Sequence, residues 1–190
     1  MKRPKLIRMR LLGANALLLG CLVELGLLPS AGQTQHAHPA NQNPAPEIGA
    51  PAIRFDLKTL DGRSISLTGY RGKPLMINFF ASWCDPCREE MPLINELAAQ
   101  AGKNGYSVLA IAVEDSRAAV TEYVKESKLI FPIALDLNST VKRAYRIFGP
   151  PATFFIDSQG TIRDIVFGPL TPERVSAALK NTGIGRLSSP

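Results

Sequence analysis

Leu75-Met-Ile-Asn-Phe-Phe-Ala-Ser-Trp-Cys-Asp-Pro-Cys-Arg88 is the stretch that decides the fold. Its first six residues follow Pro74 as a dense apolar run, which predicts a central strand buried on both faces. Beyond Cys84 the period changes. Met91, Ile94, Leu97 and Ala98 recur at helical spacing, which predicts a helix from Cys84 to about Gln100, ended by Gly102 and Gly105. Cys84 and Cys87 therefore fall where a buried strand hands over to an amphipathic helix. A helix N-terminus stabilises a thiolate through its unpaired N–H groups and its dipole. The spacing puts Cys84 in the first turn with its side chain free to face outward, and Cys87 on the same face but deeper. Cysteines so placed can close a disulfide, which tolerates Cα separations of about 4.4–6.8 Å. Pro86 suits a first turn, where its missing N–H costs nothing.

Several uses of such a pair compete. A structural zinc site wants four ligands, but there is one pair here and no histidine between Ile53 and Pro190, so no metal site is expected. Attachment of a c-type haem needs histidine directly after the second cysteine, and position 88 is arginine. A purely structural bridge remains open, although so short a loop would constrain the unfolded chain little. Redox exchange uses every feature of the site.

Working outward, Ile53–Leu57 and Ser64–Leu67 are short alternating runs around the turn pair Asp61-Gly62, which predicts a hairpin. Ser107–Val113 is a second buried strand, and Ser116 can cap a helix over Arg117–Lys128. Then come a short apolar piece at Phe131–Leu135 and a short helix at Ser139–Ile147. A hairpin of Thr153–Ile156 and Thr161–Val166 follows, and Thr171 caps a last helix over Pro172–Leu179. The pattern is α/β with a central mixed β-sheet flanked by helices, occupying residues 53–182, with 183–190 as a tail.

The charge of the chain is uneven. Its 190 residues carry a net +6, yet Lys2, Arg3, Lys5, Arg8 and Arg10 supply five of the 22 basic groups. From Gln33 onward 17 basic residues face 15 acidic ones, which leaves no basic patch to argue for nucleic acid. With 45% hydrophobic and 20% charged residues and a mean hydropathy of +0.03, the chain is not of a disordered class. The basic start precedes an apolar stretch from Leu11 to Leu28, the pattern of a secretory signal or membrane anchor over residues 1–32. Leu18-Leu19-Gly20-Cys21 is similar to a bacterial lipobox, and Ser30-Ala31-Gly32 offers a cleavage site. Lipidation, cleavage and retention as an anchor all send the remainder outside the inner membrane. Residues 33–52, rich in Pro, Ala, Asn and Gln, read as a flexible linker, and His36 and His38 within it do not make a closed metal site.

The Trp83-Cys84-Asp85-Pro86-Cys87 motif after a buried strand resembles the active site of the thioredoxin superfamily. Residues 53–180 are similar to its membrane-anchored TlpA/ResA-like branch, the thiol-disulfide oxidoreductases of the bacterial envelope. The hairpin ahead of the core and Gly149-Pro150-Pro151-Ala152-Thr153-Phe154-Phe155-Ile156-Asp157 carry the likeness further. The resemblance implies a thioredoxin-like fold in which Cys84 attacks a substrate disulfide, Cys87 resolves the mixed disulfide, and the Cys84–Cys87 bridge is the oxidised product. It makes Pro151 a cis-proline facing the sulfurs and puts Trp83 beside the site. It makes Asp115 a partly buried acid that relays the Cys87 proton, since Asn78 stands where thioredoxin itself has an aspartate. Pro150, ahead of the cis-proline, keeps a carbonyl for a substrate chain but has no N–H to donate.

The expected activity is reduction of protein disulfides without a cofactor, apocytochrome c cysteine pairs being the substrate class that the resemblance implies. A membrane thiol donor would restore the dithiol on the periplasmic side of the inner membrane. Asp85 beside Cys84 disfavours a strongly acidic thiol, which goes with a reductant. A disulfide oxidase or isomerase would use the same residues. A peroxiredoxin-type peroxidase would need Thr or Ser and Arg around a lone cysteine, and a copper carrier would need a distant histidine.

Overall fold

A computed structural model of the chain describes residues 45–183. Its elements run β1 (Asp56–Thr59), β2 (Ser64–Ser66), β3 (Leu75–Phe80), α1 (Asp85–Asn104), β4 (Ser107–Val113), α2 (Arg117–Glu126), β5 (Ile133–Asp136), α3 (Thr140–Ala144), β6 (Ala152–Ile156), β7 (Ile162–Phe167) and α4 (Pro172–Asn181). The strands form one mixed sheet in the order β2-β1-β5-β4-β3-β6-β7. β3, β4 and β5 pair in parallel, whereas β6 and β7 on one flank and β1 and β2 on the other are antiparallel. This is the thioredoxin-like α/β architecture, with the expected hairpin at one edge.

Period-two alternation sorts the core into two layers. From β3, Met76 and Phe80 pack with Met91, Ile94 and Leu97 of α1, Val120 and Tyr123 of α2, and Val175 and Leu179 of α4. Leu75, Ile77 and Phe79 enter the opposite layer with Val141 and Tyr145. The apolar run at 75–80 is thus explained by cover on both faces. Because β3 and β4 are parallel neighbours, they end at one edge of the sheet, where open α/β sheets bind their ligands. The segment leaving β3 toward Cys84 and the turn after Val113 meet there.

The boundaries differ from expectation in instructive ways. Helix α1 passes through Gly102 and stops at Gly105, whose left-handed φ of 73° suits a glycine C-cap and whose N–H bonds to the Ala101 carbonyl. A glycine inside a helix costs about 1 kcal/mol, which buried Ala101 and the helix around it absorb. Helix α3 is shorter than the expected Ser139–Ile147. Its N-cap residue, Ser139, makes no side-chain capping bond, and Asp136 stands in, its two carboxylate oxygens accepting from Thr140 N–H at 2.9 Å and Lys142 N–H at 2.7 Å. Ile53 and Phe55 lie buried ahead of β1, whose pairing begins only at Asp56. Gly49 to Ala52, assigned by composition to the linker, are bonded to the β7 edge through Gly49 N–H on the Ile162 carbonyl, Ile162 N–H on Ala50, and Ala52 N–H on Gly160. The signal or anchor expected over 1–32, Cys21, His36, His38 and residues 184–190 lie outside the described residues.

Candidate active site

Cys84 is the N-cap of α1, in extended backbone with φ −88° and ψ 106°. Its sulfur is bonded to that of Cys87, the Cα atoms lying 5.3 Å apart. The Cys87 N–H also points at Cys84 Sγ at 3.2 Å. The cap position is thus taken by sulfur in place of the usual hydroxyl or carboxylate oxygen. On reduction, a Cys84 thiolate would receive that N–H and the positive end of a 20-residue helix. The outward-facing side chain expected for Cys84 is only narrowly realised: 5% of the residue is exposed, against none of Cys87. The difference still ranks the two residues: Cys84 keeps slight exposure and Cys87 none.

The segment before Cys84 is gripped from two sides. The Ser82 N–H donates to Asp115 Oδ2 at 2.6 Å, and Arg88 Nη1 donates to the Ser82 carbonyl at 3.1 Å. The Arg88 guanidinium lies 4.8 Å from the centre of the Tyr123 ring, which holds its far side. Asp115 Oδ1 accepts in addition from Ser116 N–H at 2.7 Å. Asp115 is half-buried, as expected. The hydrogen bonds of its carboxylate go to two backbone N–H groups, which positions the Ser82 segment.

Trp83 is 58% exposed and donates its indole N–H to the Glu114 carbonyl at 3.0 Å. Glu114 has a left-handed φ of 52°, a conformation that costs a non-glycine residue free energy and persists only where neighbours enforce it. Its carboxylate meets the mostly buried Lys142 Nζ at 2.6 Å. On the other flank the Pro150–Pro151 peptide bond is cis, as the resemblance implied. The pairing of Phe79 with Ala152 sets Pro151 level with Phe80, at the edge from which the Cys84 segment leaves.

Sequence reasoning missed Glu90. It is 3% exposed, on the inner face of α1 one turn past Cys87. Asn78 Nδ2 donates to its Oε1 at 2.8 Å and the Leu170 N–H to its Oε2 at 2.6 Å. The same Asn78 nitrogen bonds Thr153 Oγ1 at 3.0 Å, while Asn78 Oδ1 is buried with no protein partner. Burial pushes the Glu90 carboxyl above the usual range, and its two hydrogen bonds oppose that rise. The signal was in the sequence: Cys87, Glu90, Met91 and Ile94 share one stripe, and an acid within such a stripe is out of place unless used. Among the described residues no cluster of His, Cys, Asp and Glu could hold a metal ion.

A protein-family model described as the AhpC/TSA family matches residues 48–165, more than half of the chain. The chain belongs to the AhpC/TSA family. Within this thioredoxin-superfamily family it is similar to the thiol-disulfide oxidoreductase ResA of Geobacillus thermodenitrificans, at 35% identity over 165 residues, 87% of this chain and 95% of the relative. ResA of Oceanobacillus iheyensis is 36% identical over 138 residues, 70% of this chain and 72% of the relative. Among solved structures, StoA from Bacillus subtilis superimposes with a TM-score of 0.59 at 28% identity, covering 68% of this chain and 98% of its own. A thiol:disulfide interchange protein DsbE from Chlorobium tepidum, putative by its description, gives 0.65 at 26% identity, covering 71% and 94%. With relatives of this kind, this AhpC/TSA member is a thiol-disulfide oxidoreductase.

Proposed function

We propose that the protein reduces disulfides of other proteins outside the cytoplasmic membrane, with apocytochrome c cysteine pairs as the substrate class. What supports this reading is a disulfide at a helix N-terminus with graded burial, Cys84 5% exposed and Cys87 fully buried behind it. In the reduced protein the Cys84 thiolate attacks one sulfur of the substrate disulfide. A mixed disulfide forms and one substrate thiolate leaves. The Cys87 thiolate then attacks Cys84 Sγ, releasing the second substrate thiol and closing the Cys84–Cys87 bridge. Two electrons pass to the substrate, and a thiol donor in the membrane restores the dithiol.

Charge supports the reducing direction. Asp85 stands beside Cys84 and Glu90 one turn beyond Cys87. Carboxyl groups so placed disfavour accumulation of thiolate, which favours the disulfide form and makes the dithiol a good electron donor. Trp83 and Pro151 frame the approach to Cys84, and Pro150 contributes a carbonyl but no N–H. Asp115 serves as a positioning residue through Ser82. The basic start and the apolar run to Leu28 support placement in the cell envelope, facing the periplasm.

Replacing Cys87 with alanine tests the assignment. Envelope proteins with paired cysteines should accumulate as mixed disulfides on Cys84 and be released by dithiothreitol. An absence of adducts, or adducts formed only with substrates reduced beforehand, would contradict the reductase reading.

A further inference from the structure

Four ion pairs occur among the described residues, and in one of them the cation is the more buried partner. The Lys142 side chain is 11% exposed against 43% for Glu114, whose carboxylate it meets at 2.6 Å. A lysine ordinarily carries its ammonium out to water along its flexible stem. Holding that ammonium inward costs desolvation, which one half-exposed carboxylate offsets poorly. Stability alone does not account for the placement.

Lys142 is tied down at three atoms. Its N–H donates to Asp136 Oδ2 at 2.7 Å, its carbonyl accepts from the Ile147 N–H at 3.1 Å, and its Nζ holds Glu114. Glu114 and Asp115 in turn hold the two residues ahead of Cys84. The Glu114 carbonyl accepts the Trp83 indole N–H at 3.0 Å, and Asp115 Oδ2 accepts the Ser82 N–H at 2.6 Å. The aim of that carbonyl depends on the left-handed φ of 52° at Glu114, which persists only where the surroundings enforce it. Among the described residues, Lys142 is the one partner of the Glu114 carboxylate.

We infer that Lys142 is a positioning residue for thiol-disulfide exchange: through Glu114 it fixes the Trp83 indole and the Ser82-Trp83 segment that delivers Cys84. This rests on Cys84 as the exchanging sulfur and holds for either direction of electron flow. Lys142 belongs to α3, outside the strand and helix that carry the disulfide, and acts on the site only through the turn after β4. Without its ammonium the strained turn relaxes and the indole loses its fixed acceptor. A substrate sulfur then meets Cys84 in fewer competent orientations.

The test uses the reduced full-length protein and a synthetic disulfide-bonded peptide. Trp83 is the single tryptophan of the chain, so its fluorescence reports this site alone. Lys142→Met matches the buried stem in length and leaves the Glu114 carboxylate to water, which keeps the fold. It should lower kcat/KM on the order of fivefold, about 1 kcal/mol of coupling, and lower the Trp83 fluorescence anisotropy as the indole comes free. Trp83→Phe changes an exposed residue and removes the indole N–H, and it should lower kcat/KM at least as much. Adding Lys142→Met to Trp83→Phe should cost less than about twofold more, because the route is already cut. Additive losses in the double variant would overturn the inference. So would Lys142→Met with either kcat/KM or anisotropy unchanged, or Trp83→Phe with wild-type kcat/KM. A wild type that exchanges with no disulfide would instead count against Cys84 as the exchanging sulfur.

Discussion

Asp115 and Glu90 are both carboxylates next to the segments that carry the disulfide, yet their surroundings give them different work. Asp115 sits half-buried at the end of β4 and accepts from the backbone N–H groups of Ser82 and Ser116. Glu90 sits inside the core and accepts from the Asn78 amide and the Leu170 N–H. The first holds a loop at the rim. The second ties α1, β3 and the segment before α4 together beneath Cys87. Near a redox pair, a carboxylate is therefore read from its donors and its burial, since proximity in sequence does not separate the two cases.

Breaking the comparison should hurt most at Glu90. Glu90→Ala leaves the buried Leu170 N–H without a partner and the Asn78 amide with Thr153 alone, and should lower stability by roughly 2–4 kcal/mol in urea unfolding. A loss under half of the lower figure would mean that water replaces the carboxylate. Asp115→Ala is expected to cost about 1–2 kcal/mol, because Ser82 is nearer solvent and keeps its bond to Arg88. Reduction of the disulfide by dithiothreitol should also quicken as the Ser82 segment loosens. Asp115→Asn, which retains an acceptor oxygen, should do less on both counts. If Asp115→Asn matched Asp115→Ala in full, a role as proton relay would regain ground over positioning.

The two sites also separate by pH. The folded-state pKa of Glu90 is raised by burial, so its contribution is fully present below the unfolded value near 4.5 and is lost as pH rises through the folded one. Glu90→Gln removes that titration, and its amide can donate to the orphaned Asn78 Oδ1 once the Asn78 amide turns over. Relative to the wild type, the glutamine variant should gain stability as pH rises above about 4.5. A parallel pair of stability curves would contradict a raised Glu90 pKa. Smallest of all, Arg88→Gln should cost about 0.5–1 kcal/mol, the scale of an exposed cation on an aromatic ring.

Much of this was legible in the sequence because it rests on strong local signals. The apolar run at 75–80 matches β3 at both ends, and SVLAIAV matches β4. Cys84 and Cys87 are legible through spacing and the change of period alone. The hidden parts are those where tertiary contacts decide. Ile53 and Phe55 read as strand because they alternate, but β1 begins only at Asp56 and both lie buried ahead of it. The cap of α3 comes from Asp136, ahead of the segment that looked helical. Glu90 adjoins exposed Glu89, and only the packing of α1 against Asn78 and Leu170 separates the two. The solvent-facing ring of Phe148 has no sequence signature, since a phenylalanine before Gly-Pro-Pro reads equally well as core.

The central claim, a dithiol that gives up electrons readily, is tested most directly by equilibrating the full-length protein against thiol buffers of known potential and measuring the fraction of Cys84–Cys87 oxidised. The charge arrangement predicts a midpoint close to that of thioredoxin, about −270 mV. A midpoint near the strongly oxidising couples at about −120 mV, or a bridge that never equilibrates with the buffer, would contradict it.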